Sequence, residues 1–149
     1  MESAITDPSV MDPAVTVFAG SKIVSAVFIT FSGNCRKALT FYQTCFGGTL
    51  NFETFEGTIE GYTEVPVVSG SLVSDGITIY GSDLVHNEGR TLGNYLSIFL
   101  HCRNTKERQA LIGKLRFNKP GSSIGKDYGQ GQKLIEITDA FDVRWILSV

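Results

Sequence analysis

The chain has 149 residues, of which 42% are hydrophobic and 19% charged. That is ordinary globular composition for one domain of common size and excludes a disordered chain. Lys plus Arg number 13 against 15 Asp plus Glu, a net charge of −2, so no basic excess exists to hold a phosphate backbone and nucleic acid is not an expected partner.

The N-terminus places Glu2 and Asp7 where a secretory signal needs positive charge, and a cytoplasmic protein is expected. The longest apolar runs, such as Val24–Phe31, are too short to span a bilayer, so no membrane partner is expected either. Residues 1–22 read as an arm, with turn signals at Asp7-Pro8 and Asp12-Pro13 and a short strand over Ala14–Ala19.

Ile23–Phe31 is β-branched and aromatic, of strand length. Asn34 follows a Ser32-Gly33 break and is placed to cap a helix over Cys35–Phe46 with its side-chain oxygen. The apolar stripe Ala38, Leu39, Tyr42, Cys45, Phe46 has helical spacing, and Gly47-Gly48 ends the helix. Strands are expected over Thr49–Phe55, Val65–Val73 and Ile77–Tyr80, the last two joined by an Asp75-Gly76 hairpin with positive φ. Ser82–Thr91 reads as a polar loop.

The order then repeats. Asn94–Cys102 reads as a strand, and Asn104 caps a helix over Thr105–Leu115 with Glu107 as its capping-box partner. Residues 116–131, with Pro120 and several glycines, form an irregular loop before two closing strands, Lys133–Thr138 and Val143–Val149. The two caps lie 104 − 34 = 70 residues apart, which suggests an internal duplication.

Two blocks carry a resemblance. Phe31-Ser32-Gly33-Asn34-Cys35 through Ala38-Leu39, Phe41-Tyr42 and Phe46-Gly47-Gly48 resembles the pattern F-x-G-N-C-x-x-A-L-x-F-Y-x-x-x-F-G-G of PhnB-like proteins. These belong to the glyoxalase, bleomycin-resistance and extradiol-dioxygenase (vicinal oxygen chelate) superfamily. Thr138-Asp139-Ala140-Phe141-Asp142-Val143-Arg144-Trp145 resembles its closing T-D-x-F-G-V-x-W, and Gly81-Ser82-Asp83 adds a loose match. Asp142 stands where the family has glycine, in a turn expected to need positive φ.

The resemblance implies an α+β fold of two βαβββ modules, about 23–90 and 91–149, that together form a cup-shaped sheet. It also implies a homodimer. Active relatives hold a divalent metal with His, Gln and Glu. Here the matching positions carry Ala26 or Val27, Ser69 and Ile146, none of them a metal ligand of that kind.

The first reading is therefore a metal-free protein that binds a small organic molecule, with Ser69, Tyr80, Tyr95, His101 and Glu136 as candidate ligand-binding residues. The second is a lyase, isomerase or dioxygenase-like enzyme whose divalent metal ion has moved to His101, Glu136 and Glu64; the third is a structural homodimer without ligand. His86 is assigned to a polar loop, and Arg90 and Arg144 are candidates for binding an anion. Tyr62 is a further candidate pocket aromatic, whereas Tyr42 and Trp145 are expected in the core. Cys35, Cys45 and Cys102, odd in number and widely spaced, are expected as buried hydrophobes rather than ligands or nucleophiles.

Overall fold

The computed structural model describes residues 25–57, 60–61, 63–83, 91–117, 119 and 131–149. The expected N-terminal arm and its strand, His86, Arg90, Tyr62 and most of the 116–131 loop lie outside the described residues. The chain divides into two compact units, Met1–Val85 and His86–Val149.

The first unit runs β1 (Val27–Phe31), α1 (Cys35–Phe46), β2 (Thr49–Thr54), β3 (Val67–Val73) and β4 (Thr78–Asp83), a complete βαβββ order. Its four strands lie in the order β1-β4-β3-β2, with β1 parallel to β4 and the other pairs antiparallel. One face of this sheet meets α1, which buries Cys35, Ala38, Leu39, Tyr42 and Cys45. Gly70 and Gly81 stand opposite each other on that face. A Cβ on Gly70 would lie 2.9 Å from Leu39 Cδ1, and one on Gly81 would lie 3.2 Å from Cys35 Sγ, so these glycines let the helix approach closely.

The second unit runs β5 (Ile98–His101), α2 (Thr105–Leu115), β6 (Leu134–Thr138) and β7 (Arg144–Ser148). The sheet order is β5-β7-β6, with β5 parallel to β7. Among the described residues this unit has three strands, one fewer than the expected module. Ile135, Ile137, Trp145 and Leu147 form its buried face, and α2 adds Ile112 and Leu115 to the core. Arg108 of α2, only 1% exposed, donates from Nη1 to the Lys133 carbonyl at 3.3 Å and so ties the helix to the start of β6.

Several expected bounds shift. β1 is shorter than the run Ile23–Phe31, since 25–26 are not strand and 23–24 lie outside the described residues. β5 starts at Ile98 rather than Asn94, because the Asn94 and Leu96 carbonyls are taken by the Arg144 guanidinium instead of a neighbouring strand. β4 continues through Asp83, into the expected loop. The hairpin between β3 and β4 is present, closed by a Ser74 N–H to Ile77 carbonyl bond of 3.1 Å, but neither Asp75 nor Gly76 has positive φ. The Ser74 hydroxyl also donates to the Ile77 carbonyl at 2.7 Å, which holds this turn without the primed geometry. Asp142 does have positive φ, 66°, in the turn between β6 and β7.

Gly48, at φ 103°, joins α1 to β2, and a Cβ there would lie 2.3 Å from the Val73 carbonyl oxygen. Gly48→Ala is expected to cost about 2 kcal/mol or more in urea unfolding, because both the backbone angle and the fixed oxygen oppose it. Gly76→Ala, with open space around its Cβ, should stay within about 0.5 kcal/mol of the parent.

Candidate functional site

Each sheet has one face turned to its core and one turned away, because side chains alternate along a strand. Ser69 and Tyr80 fall on the outer face of the first sheet, opposite α1. The register fixes this. Gly70 and Gly81 face the helix, so their chain neighbours face away, and Ser71 stands opposite Tyr80. Phe28 is opposite Tyr80 on β1, Asn51 is opposite Ser71 on β2, and Glu53 is opposite Ser69. Ser69 is exposed and Tyr80 half-buried.

On the outer face of the second sheet stand His101 and Glu136. Phe99 pairs with Ile146, which pairs with Glu136, and His101 pairs with Ser148, which pairs with Leu134. His101 and Glu136 thus share a face but not a row. β7 lies between them, and they are offset by two residues along it. At ordinary strand spacing this puts their Cα atoms about 12 Å apart. The His101 Nδ1 lies 2.8 Å from the Ser148 Oγ. Glu136 is paired with Arg144. Tyr95 is 85% exposed and lies in the segment that Arg144 holds through the Asn94 and Leu96 carbonyls. Arg144 is therefore bound to its own chain. Glu64 is exposed between β2 and β3, in the other unit.

The metal positions implied by the resemblance can now be placed. Val27 faces the α1 side of the sheet, since it pairs with the buried Ile79, and Ala26 is exposed just before β1. Ser69 and Ile146 both lie on outer faces. A methyl, a hydroxyl and a butyl group form no donor set for Zn, Mn or Fe. The residues at these positions do not fit the superfamily's metal. Among the described residues no group of three His, Cys, Asp or Glu side chains is placed to hold one.

The polar groups that are fully organised lie elsewhere. Asp83, 6% exposed, ends β4. Its Oδ1 accepts from the Gly33 N–H at 2.8 Å and the Cys35 N–H at 3.0 Å, and its Oδ2 from the Val67 N–H at 2.8 Å. Asp83 therefore serves the N-terminus of α1, where its negative charge also suits the helix dipole. The expected cap is corrected by this: Asn34 makes no side-chain cap bond, and its buried Oδ1 has no partner. At α2 the expected cap is present, with the Glu107 N–H donating to Asn104 Oδ1 at 2.8 Å. The reciprocal half of the box is not formed as expected, since the Glu107 carboxylate turns to Arg103 Nε at 2.8 Å.

Asp139, fully buried, does the equivalent work in the second unit. Its Oδ1 accepts from the Phe141 and Val143 N–H groups at 2.8 and 3.1 Å, and its Oδ2 from Trp145 Nε1 at 2.8 Å. Trp145 and Tyr42 are core residues, as expected. All three cysteines are buried and free. Burial first, and the Asp83 charge second, push the Cys35 thiol up from 9.0 to about 12, against a smaller opposing effect of Arg36. Burial, then the Glu107 charge, raises Cys102 in the same direction, against Arg108. Cys35 is therefore a neutral, unreactive thiol at ordinary pH. Its folded pKa is raised, so its contribution to stability is intact below about pH 9 and is lost as pH rises from there towards 12.

Solved structures with the same arrangement exist. Protein PA1353 from Pseudomonas aeruginosa aligns over 85% of this chain and 97% of its own, at 25% identity and a TM-score of 0.66. The PhnB protein from Bacillus cereus aligns over 85% and 98%, at 20% identity and a TM-score of 0.63. The chain shares their fold, a PhnB-like, glyoxalase-type α+β fold. Protein SA1046 from Staphylococcus aureus also matches, over 89% of this chain and 98% of its own, at 15% identity and a TM-score of 0.56. No family model matches the sequence, and no curated protein matches it. The two blocks that carry the PhnB-like resemblance coincide with the Asp83 and Asp139 clusters. Gly33 and Cys35 donate to the first, and Phe141, Val143 and Trp145 to the second.

Asp83→Ala should cost about 3 kcal/mol or more in urea unfolding, since it leaves buried backbone donors without an acceptor. Asn34→Ala, which removes no cap bond, should change stability by less than about 0.5 kcal/mol. A large loss in Asn34→Ala and a small one in Asp83→Ala would reverse the assignment.

Proposed function

We propose that this chain is a small-molecule-binding member of the glyoxalase superfamily that works without a metal. The observation that carries the reading is that Ser69 and Ile146 stand on the outer faces of their sheets, while Ala26 is exposed just before β1. Relatives that do metal chemistry need oxygen and nitrogen ligands there. What these faces offer instead is hydroxyl, amide and aromatic groups, the usual lining of an organic ligand site. Ser69 and Tyr80 on the first sheet, and Tyr95, His101 and Glu136 in the second unit, are the residues we assign to ligand contact. The reading with a relocated metal is weaker, because Glu136 is engaged by Arg144 and His101 sits beside Ser148 Oγ, in different rows of the sheet.

We further propose that the protein acts as a homodimer in the cytoplasm. Among the described residues, each sheet ends in strands paired on one side only, β1 and β2 in the first and β5 and β6 in the second, and such edges favour pairing or covering. Among the described residues, no helix is long and apolar enough to cross a membrane.

Thermal-shift screening of the full chain with small organic molecules tests the binding reading. A ligand at about one hundred times its Kd adds about 2.7 kcal/mol of stability. Stabilising compounds are expected, and their effect should be the same with and without a chelator. Stabilisation that requires an added divalent ion would contradict the metal-free reading.

A further inference from the structure

We infer that the outer face of the first sheet takes a planar organic cation. This deepens the proposed binding function and rests on it. In one row across the sheet stand Phe28, Tyr80, Ser71 and Asn51; two residues along β2 from Asn51 stands Glu53, opposite Ser69.

Among the described residues of this face, the ionisable side chains are Glu53 and Tyr80, and none is a cation. An aromatic–guanidinium contact, Arg36 over Phe52 at 4.4 Å, lies on the opposite side of the sheet, where Phe52 pairs with Gly70 towards α1. A phosphate, phosphonate or carboxylate ligand would find no positive side chain here, and its desolvation would go uncompensated. A cation meets two favourable features. Phe28 is 64% exposed and pairs with Tyr80 on the neighbouring strand, so two aromatic side chains share this face, and an aromatic ring attracts a positive charge. The Glu53 carboxylate is exposed on the edge strand β2.

The spacing sets the size. Tyr80 and Glu53 are two strands apart and offset by two residues, about 12 Å between Cα atoms. A ligand that touches both is a fused-ring molecule rather than a simple ammonium ion. Ser69, exposed between the two ends, supplies a hydrogen bond to a heteroatom of the ligand.

Two dyes of one ring system test this: rhodamine 6G, a planar cation, and fluorescein, a planar anion, each followed by fluorescence anisotropy against the full chain. Rhodamine 6G should bind at least about fivefold more tightly than fluorescein. Phe28→Ala, at an exposed position that leaves the core intact, should weaken rhodamine 6G by about threefold or more. Glu53→Lys, on an exposed edge, should reverse the order of the two dyes. Tighter or equal binding of fluorescein by the parent chain overturns the inference. If Phe28→Ala then abolishes that fluorescein binding, the face still binds small molecules and only the charge assignment falls. Failure of the parent to bind either dye overturns the cation inference as well, whereas ligands found by thermal shift would leave the broader binding function standing.

Discussion

The Asp83 carboxylate is the constraint on which the first unit is built. Three backbone N–H groups from three places, the turn after β1, the first residue of α1 and the first residue of β3, converge on its two oxygens. A buried carboxylate is costly unless its lone pairs are satisfied, and buried amides are costly unless they find acceptors. The two needs cancel here. The same contact fixes where α1 starts, how β3 enters the sheet and how β4 ends. It also sets the environment of Cys35, whose thiol is kept protonated by burial and by that negative charge. Asp139 repeats the device at the β6–β7 turn, and adds the indole N–H of Trp145 to the groups it satisfies.

This explains why the recognisable blocks of the sequence speak of fold rather than of activity. Gly33, Cys35, Asp139, Val143 and Trp145 are fixed by hydrogen bonds inside each unit. None of them stands on an outer face. The locks run between backbone N–H groups, the Trp145 indole and two aspartates, so they do not by themselves dictate the side chains at Ala26, Ser69 and Ile146.

Most of the elements were legible in the sequence because their signals are local. The stripe Ala38, Leu39, Tyr42, Cys45 gave α1, and the Gly47-Gly48 end is where it stops. Asn104 was legible as a cap because its partner is three residues away. Asp83 was not, because its partners lie 16 to 50 residues away and nothing near it in the chain marks the bond. The start of β5 was missed for a related reason: Arg144, about fifty residues on, takes the carbonyls that would have continued the strand. For the candidate site, the face that Ser69 and Tyr80 share is set by the β3–β4 register, where Gly70 pairs with Gly81. Whether His101 and Glu136 share a row depends on the register of two strand pairs, which only the assembled sheet supplies.

The claim that the superfamily's metal site has been replaced is tested most directly by elemental analysis of the tag-free full chain after incubation with Zn, Ni, Mn and Fe(II) and removal of excess ion. The account predicts well under one tightly held metal per chain under every condition. One equivalent of a divalent ion, retained through dialysis and lost in His101→Ala with the fold intact, would contradict it and move the chemistry to the second sheet.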